Sequence, residues 1–324
     1  MDEIHSINSP LPQLPRRAIE RLEEVLGDDF NSTVASFSND RIIAFRVNTL
    51  KSSEEEVLSA IEDSELSIKP IAWCPQSFII KQGTIRELQS LDVFKEGKVY
   101  IQSTSSMLAA HVLNVSSELS VLDMCAAPGS KTSLIAALMQ NQGRIIANDR
   151  SKKRLYRLRE ILQQQGATNV KVINEPAESL GRMYADCFDR VLVDVPCSGE
   201  GRFRVEKPIR MSRWSEQSIK TLAKLQQQIL ASALRCVKVG GQVVYSTCTF
   251  APEENEMVLD KVLKKKSIHA ELIEVPKELL PPTVRSPLTS FQDWSASTNL
   301  SRALRIIPND LTTGFFIAVL KRVG

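Results

Sequence analysis

The feature that most constrains the fold is a regular alternation of short apolar runs and helix-like segments from Leu119 to the C-terminus. Residues 120–124, 144–148, 170–174 and 189–193 are short apolar runs, as is typical of buried strands. A helix-like segment follows the first, the second and the fourth of them. Strands that alternate with helices form parallel sheets covered on both faces. The sequence therefore predicts an α/β fold with a doubly wound, mostly parallel sheet. Towards the end of the chain it predicts a helix that begins at Pro252 and a surface loop over residues 276–299.

The first hundred residues follow a less regular pattern. Residues 17–26 place apolar side chains on one helical face, and residues 42–47 form a strand-like run. Ser53, with a glutamate three positions later, is typical of a helix N-terminus. We predict a small α+β domain over residues 1–100, opened by a helix, and a larger α/β domain over residues 101–324.

Composition excludes several classes of protein. The 324 residues are 43% hydrophobic and 24% charged, with a net charge of only +3, which is ordinary for a globular protein. No apolar run is long enough to span a bilayer, and the N-terminus lacks the features of a signal peptide. The six cysteines include no C-x-x-C pair, which argues against a zinc site. We expect a cytoplasmic, monomeric protein without a metal ion and without a membrane contact.

Two cysteines follow predicted strands. Cys197 comes after Asp194 and Pro196, just past the run at 190–193, and Cys248 follows the run at 242–245. The carboxyl ends of parallel strands form the crevice in which α/β proteins bind ligands. Two thiols at this crevice predict cysteine chemistry on a bound substrate. The alternative is that both are ordinary buried cysteines.

The loop at 125–132 predicts a second part of the same site. Its small residues, between a strand and a helix, let a ligand approach the backbone closely. The glycine spacings of phosphate loops and dinucleotide sites are absent, which leaves an uncharged adenosine-bearing cofactor. Asp149 is at a position where a carboxylate could accept hydrogen bonds from the ribose hydroxyls of such a cofactor. The alternative is that it only stabilises a helix N-terminus. A methyl-donor sulfonium fits best, because Asp123 and Asp194 offer negative charge.

Three segments at these strand ends resemble the signature motifs of one enzyme family. Their sequences are DMCAAPGSKT over 123–132, DVPCSG over 194–199 and YSTCT over 245–249. They are similar to the motifs of the RsmB/RsmF-like (Sun) family of RNA cytosine-C5 methyltransferases. The resemblance runs from about residue 100 to the C-terminus, and the N-terminal module resembles, more weakly, the RNA-positioning domain of that family.

The resemblance implies a Rossmann-like methyltransferase that uses S-adenosylmethionine to methylate carbon 5 of a cytosine in RNA. Ribosomal RNA is favoured over transfer RNA as the substrate. The chain departs from the family pattern at Ser130, where the family usually has glycine, and at Pro176, where it commonly has an acidic residue before alanine. Glu175 is a candidate replacement for that acid.

The resemblance also assigns roles to individual residues. Cys248 is the expected nucleophile, Cys197 the residue that assists product release, and Asp194 the group that positions the base, with Pro196 beside them. The expected cofactor-binding residues are Asp123, Cys125, Ala126, Ala127, Pro128, Gly129, Ser130, Lys131, Asp149, Glu175 and Asp194.

Basic residues cluster in two segments. The loop at 201–214 mixes cations with Phe203 and Trp214, a combination that suits phosphate contact and stacking on an unpaired base. Its expected RNA-binding residues are Arg202, Arg204, Lys207, Arg210 and Arg213. The alternative is that these charges contact only water and that the loop does not bind RNA. The run at 150–159 is interpreted as a solvated helix face.

Two alternatives in function stay open. A non-catalytic RNA-binding assembly factor could keep this fold, although it would need neither Cys197 nor Cys248. A DNA methyltransferase fits less well, because the second thiol would then have no function.

Overall fold

The computed structural model describes residues 14–39, 42–206 and 209–324 of the chain, without the side chains of 209 and 210. The N-terminal part is a small α+β module, as predicted. In chain order its elements are α1 (Arg16–Leu26), α2 (Phe30–Ser36), β1 (Ala44–Val47), α3 (Glu54–Glu62), β2 (Ser67–Pro70), β3 (Ser77–Gln82), α4 (Ile85–Ser90), α5 (Asp92–Lys95) and β4 (Val99–Ile101). The four strands form an antiparallel sheet in the order β2-β3-β1-β4.

The N-terminal module makes two kinds of hydrophobic contact. Phe45 on β1 packs with Phe78 and Val57 in a core of the module's own. The leading helices instead share a cluster with residues far along the chain: Leu22 and Phe37 pack with Phe203, Phe250 and Ile307. Helices α1 and α2 are therefore fixed to the larger part of the protein.

The larger part alternates strands with helices. Its elements are α6 (Thr104–His111), β5 (Ser120–Asp123), α7 (Ser130–Leu138), β6 (Arg144–Asn148), α8 (Lys152–Gln165), β7 (Val170–Ile173), α9 (Leu180–Met183), β8 (Phe188–Asp194), α10 (Ile209–Ser212), α11 (Glu216–Cys236), β9 (Val237–Thr247) and α12 (Glu256–Leu263). The remaining strands are β10 (Ala270–Ile273), β11 (Val284–Arg285), β12 (Ser290–Phe291), β13 (Trp294–Ser295), β14 (Leu304–Ile306) and β15 (Phe315–Arg322).

The central sheet confirms the doubly wound prediction. Five parallel strands lie in the order β7-β6-β5-β8-β9, and the antiparallel strands β15, β14 and β11 extend the sheet beyond β9. Hydrophobic clusters cover both faces. All five parallel strands therefore end at one edge, where their loops form the site. Within the described residues, no helix is both long and apolar enough to cross a membrane.

The sequence interpretation is wrong in two places near the end of the chain. The segment at 276–299 was expected to be a surface loop, but it contributes β11 to the sheet and a β12–β13 hairpin with Phe291 buried. The helix expected to begin at Pro252 is interrupted, because the backbone of Asn255 (φ −115°, ψ −100°) leaves the helical region before α12 begins. The Asn255 side chain bonds the Thr247 hydroxyl at 2.6 Å and the Thr249 carbonyl at 3.0 Å.

Candidate active site

A cavity of about 510 Å³ opens at the carboxyl ends of the parallel strands. Its wall contains most of the residues expected from the sequence: Cys125, Ala127, Pro128, Ser130, Lys131, Asp149, Asp194, Pro196, Cys197, Arg202 and Cys248. Four expected cofactor residues are not part of this wall: Asp123, Ala126, Gly129 and Glu175. The loop after β5 and the two cysteine loops thus border one space.

The two thiols lie side by side. Cys197 Sγ is 3.2 Å from Cys248 Sγ, and the Cys248 amide donates to Cys197 Sγ at 3.3 Å. This proximity follows from the sheet, because β8 and β9 are parallel neighbours that pair Asp194 with Ser246. Both cysteines are partly shielded from solvent and free of disulfides. A substrate in the cavity would meet both sulfur atoms.

The surroundings distinguish the two thiols. The pKa of Cys248 is lowered, first by the hydrogen bond from Cys197 and then by the positive charges of Arg202 and Lys131, against the opposing effect of burial. The pKa of Cys197 is raised well above its ordinary value by the contact with Cys248, by burial and by the charge of Glu254. The amide of Cys248 lowers the pKa of Cys197, and the charge of Asp194 raises the pKa of Cys248. The net shift is downward for Cys248 and upward for Cys197, so Cys248 has the lower pKa of the two thiols.

Asp194 is held in place at the cavity wall. Its Oδ2 accepts from Lys131 Nζ at 2.7 Å, and its Oδ1 accepts from the Ser246 hydroxyl at 3.0 Å. The Asp194 side chain is 28% exposed and that of Lys131 13%. Lys131 lies in the first turn of α7, so this ion pair joins the loop at 125–132 to the loop at 194–199 that contains Cys197.

Two buried glutamates that sequence reasoning missed brace the cysteine loops. Glu200 accepts from the Thr249 hydroxyl at 2.8 Å and from the Phe250 amide at 3.0 Å. Glu254 accepts from the Ser198 amide at 3.0 Å and from Gln226 Nε2 at 2.7 Å. Glu200, which follows Cys197, thus binds the loop that follows Cys248, and Glu254, which follows Cys248, binds the loop that contains Cys197. Burial raises the pKa of Glu254 to about 7.

Gly129 and Asp149 shape the loop at 125–132, where the cofactor is expected to bind. Gly129 caps α7 at φ +116°, and a Cβ there would lie 2.9 Å from Leu158 Cδ1. Asp149 accepts from the amides of Ala127 at 3.3 Å and Ser151 at 2.9 Å, and it pairs with Arg154 at 3.0 Å. Asp149 thus stabilises the helix start and also lines the cavity, and its role as an acceptor for ribose hydroxyls stays a prediction.

Two of the expected acids lie outside the cavity. Asp123 is 1% exposed and accepts from the Thr132 hydroxyl at 2.7 Å, and burial raises its pKa to about 7. Asp123 therefore stabilises the loop at 125–132 through Thr132 and does not face the cavity. After Pro176, a 3-10 turn over 177–179 brings Glu178 into the wall instead of Glu175. The only local signal for this was the proline, which can start such a turn.

The loop at 201–214 differs from the expected RNA-stacking surface. Phe203 is 1% exposed and packs edge-on against Phe37 at 5.9 Å. Trp214 donates to Glu200 at 2.7 Å. The expectation that Phe203 stacks on a base is therefore wrong, because its ring is buried against Phe37, whereas the half-buried Trp214 keeps part of its ring accessible and its stacking stays a prediction.

The basic residues of the same loop have different surroundings. Arg202 is exposed and lines the cavity, and Arg213 is exposed elsewhere in the loop. Arg204 is only 15% exposed and pairs with Glu206 at 3.4 Å. Lys207 lies outside the described residues, and the side chain of Arg210 is also not described.

The N-terminal module contributes part of the wall that the sequence did not predict. Tyr100 and Gln102 line the cavity. Behind them, buried Arg46 donates to Gln102 Oε1 at 3.0 Å and to Ser133 Oγ at 2.9 Å, and it lies 5.2 Å from the centre of the Tyr100 ring. Arg46 thereby fixes the module to α7. Burial lowers the pKa of Arg46 to about 10.

Comparisons with known proteins agree with this architecture. Residues 110–321 match a family model described as 16S rRNA methyltransferase RsmB/F, and residues 14–104 match the N-terminal domain of 16S rRNA methyltransferase RsmF. The chain is 33% identical to the ribosomal RNA small subunit methyltransferase F of Erwinia tasmaniensis, over 96% of this chain and 64% of that protein. It is 37% identical to the protein of the same name from Vibrio cholerae, over 77% of this chain and 54% of that protein.

Two solved structures share the fold over nearly the whole chain. A methyltransferase homologue from Pyrococcus horikoshii superposes with a TM-score of 0.81 at 30% identity, covering 94% of this chain and 93% of that one. NSun6 from Pyrococcus horikoshii superposes with a TM-score of 0.79 at 23% identity, covering 96% and 98%, and supports the fold alone. The chain spans only 49% to 64% of the length of the first curated relatives. The family-model matches together cover almost all described residues, and the chain belongs to the RsmB/F family of 16S rRNA methyltransferases.

Proposed function

We propose that this protein transfers a methyl group from S-adenosylmethionine to carbon 5 of a cytosine in RNA. The observation that carries the proposal is the pair of thiols 3.2 Å apart, beside a fixed carboxylate in one cavity. A binding protein without catalytic activity would need neither thiol. The names of the relatives favour small-subunit ribosomal RNA over transfer RNA as the substrate.

The cavity fits this cofactor. Its volume of about 510 Å³ is within the usual range for small-molecule sites. Ala127 and Ala177 leave room for an adenosine close to the backbone, and Asp149 and Glu178 offer carboxylate acceptors for ribose hydroxyls and the adenine amine. Asp194 places negative charge near a sulfonium. When bound, S-adenosylmethionine supplies the electrophilic methyl group.

The residues of the chain would activate the cytosine. Carbon 5 of a pyrimidine is a poor nucleophile, and addition of the Cys248 thiolate to carbon 6 makes carbon 5 enamine-like. Asp194, oriented by Lys131, accepts a hydrogen bond from the exocyclic amine and holds the base edge. After transfer, a base, for which water in the open cavity suffices, takes the proton from carbon 5; the C5–H electron pair restores the C5–C6 double bond and the C6–S bond breaks, which releases the Cys248 thiolate. Cys197 stabilises the leaving thiolate by donating its S–H across 3.2 Å.

Trapping with RNA that contains 5-fluorocytosine tests the chemistry. Fluorine at carbon 5 blocks the final elimination, so a covalent adduct should accumulate on the unaltered chain and be absent from Cys248→Ala. An adduct that survives Cys248→Ala would refute the nucleophile assignment. Cys197→Ala should accumulate adduct even with ordinary cytosine, because release is slowed.

The substrate and the state of the protein need separate tests. Bisulfite sequencing of RNA from a strain that lacks the gene should reveal a missing 5-methylcytosine in ribosomal RNA, whereas a loss in transfer RNA would favour the other substrate. The proposal includes a cytoplasmic monomer that works without a metal ion. Light scattering, elemental analysis of the purified chain and cell fractionation measure these three properties.

A further inference from the structure

The exposed face of α8 is strongly basic. Residues 150–160, which comprise the start of α8 and the two residues before it, carry six cations and one acid: Arg150, Lys152, Lys153, Arg154, Arg157, Arg159 and Glu160. The acid is already paired with Arg157 at 3.1 Å. In the part of the chain that the structure describes, Lys152, Lys153 and Arg159 form no ion pair. This face therefore has positive charge that the fold does not use.

The start of α8 carries these charges at a cost in helix stability. The first turn holds Lys152, Lys153 and Arg154 and contains no acidic residue. Cations near a helix N-terminus are unfavourable because they meet the positive end of the helix dipole. Folding alone would favour acids at these positions, so the cations point to an anionic partner.

Tyr156 adds an exposed aromatic ring to the same face. Its neighbours Leu155 and Leu158 are 2% and 0% exposed in the core, whereas Tyr156 is 71% exposed. Residues three and four apart are neighbours on a helix surface, so the ring lies beside Lys152 and Lys153. A tyrosine among cations is the combination on which proteins stack unpaired bases while binding the phosphates. The sequence alone indicated that the run at 150–159 is a solvated helix face. The exposed ring of Tyr156 favours a surface that binds nucleic acid instead.

The basic face is continuous with the cavity. Arg150 and Arg154 form part of the cavity wall. Burial raises the pKa of Tyr100, another wall residue, and the charge of Arg157 opposes that rise, so Arg157 lies within electrostatic reach of it. Because α8 follows β6, its first turn lies at the carboxyl edge of the sheet, where the cysteines also lie.

We infer that the exposed face of α8, from Lys152 to Tyr156, binds an unpaired segment of the RNA substrate that flanks the target base. Lys152 and Lys153 contact phosphates, and Tyr156 stacks on one base. The inference rests on the proposed function, and it assigns the path of the RNA away from the cavity.

A binding titration with the full chain tests the inference. The probe is a fluorescein-labelled, unstructured 20-nucleotide RNA of mixed sequence, and anisotropy is followed at several salt concentrations. Loss of two phosphate contacts in Lys152→Gln/Lys153→Gln should reduce the slope of log K against log salt by about 1.4, with an affinity loss of about tenfold or more at 0.1 M salt. Tyr156→Ala should lose about tenfold, as for one stacked base.

A matched pair of lysines provides the control. Lys265 and Lys266 are also exposed, and they follow the end of α12, at the opposite edge of the sheet from the cavity. Lys265→Gln/Lys266→Gln removes the same charge and should leave RNA affinity within about twofold of the unaltered chain. S-adenosylmethionine binding by calorimetry should be unchanged in all three variants.

Each outcome has a distinct meaning. If the α8 variants bind the probe as the unaltered chain does, or if the Lys265 and Lys266 control loses as much affinity, the inference is overturned while the proposed methyl transfer stands. If the unaltered chain neither binds RNA nor forms the 5-fluorocytosine adduct, the proposed function fails and the inference fails with it.

Discussion

The hydrogen bond between the two thiols is the contact that most directly sets the reactivity of Cys248. We expect Cys197→Ala to raise the pKa of the Cys248 thiol, because it removes the S–H that donates to the Cys248 sulfur across 3.2 Å. A hydrogen bond to a charged group contributes about 1.5–3 kcal/mol. Since about 1.4 kcal/mol corresponds to one pH unit, the pKa should rise by about one to two pH units.

The rate of alkylation by iodoacetamide measures this pKa without RNA or cofactor, because the thiolate is the reacting form. Peptide mass spectrometry separates Cys248 from the other cysteines. The rate should rise with pH through a midpoint, and Cys197→Ala should move that midpoint upward by about one to two pH units. Cys197→Ser is the matched control, since a hydroxyl keeps a donor there and should restore most of the effect. An unchanged or lower midpoint in Cys197→Ala would refute the reasoning that a hydrogen bond from Cys197 lowers the pKa of Cys248.

Two further predictions concern stability, and urea denaturation measures both. Arg305→Met should lower the free energy of unfolding by about 3–5 kcal/mol, because buried Glu256 loses two guanidinium contacts of 2.6 Å; a loss below about 1 kcal/mol would contradict this. Because burial raises the pKa of Asp123 to about 7, the folded state holds a proton that the unfolded state releases near pH 4, and stability falls as the pH rises between these values. Asp123→Asn has no carboxyl at this position and lacks this pH dependence. The free energy of unfolding of the variant minus that of the unaltered chain should therefore increase by about 3–4 kcal/mol from pH 4 to pH 8. An equal pH dependence in both proteins would contradict it.

The central sheet and the location of the site were predictable from the sequence. Buried parallel strands are continuous apolar runs, and such runs are visible without any knowledge of tertiary contacts. Once Cys197 and Cys248 are known to follow two such strands, the topology of an open sheet brings them to one edge. The antiparallel strands after residue 270 were partly missed, because β11, β12 and β13 are only two residues long and have no measurable period.

The charged and aromatic residues around the site were harder to assign. Phe203 and Tyr156 both stand among cations in the sequence, but Phe203 is buried and Tyr156 is 71% exposed. The local pattern does not separate them, because the burial of Phe203 depends on Phe37, far away in the chain. Glu254 lies in the segment at 252–256, which also resembles the family, but no local pattern assigns it a role. Its role in bracing the loop of Ser198 depends on a contact between two loops.

The division of labour that we propose for the two cysteines rests on two arguments. Family resemblance assigns attack to Cys248, but both thiols stand in the same kind of position in the sequence, each after a strand. In the structure the contact between the two thiols lowers the pKa of Cys248 and raises that of Cys197, and the charges of Arg202 and Lys131 near Cys248 and of Glu254 near Cys197 act in the same directions. Glu254 adds to the raised pKa of Cys197, after the contact with Cys248 and burial, and it also accepts from the Ser198 amide in the same loop. A protonated Cys197 next to a Cys248 thiolate is the arrangement that attack followed by assisted release requires.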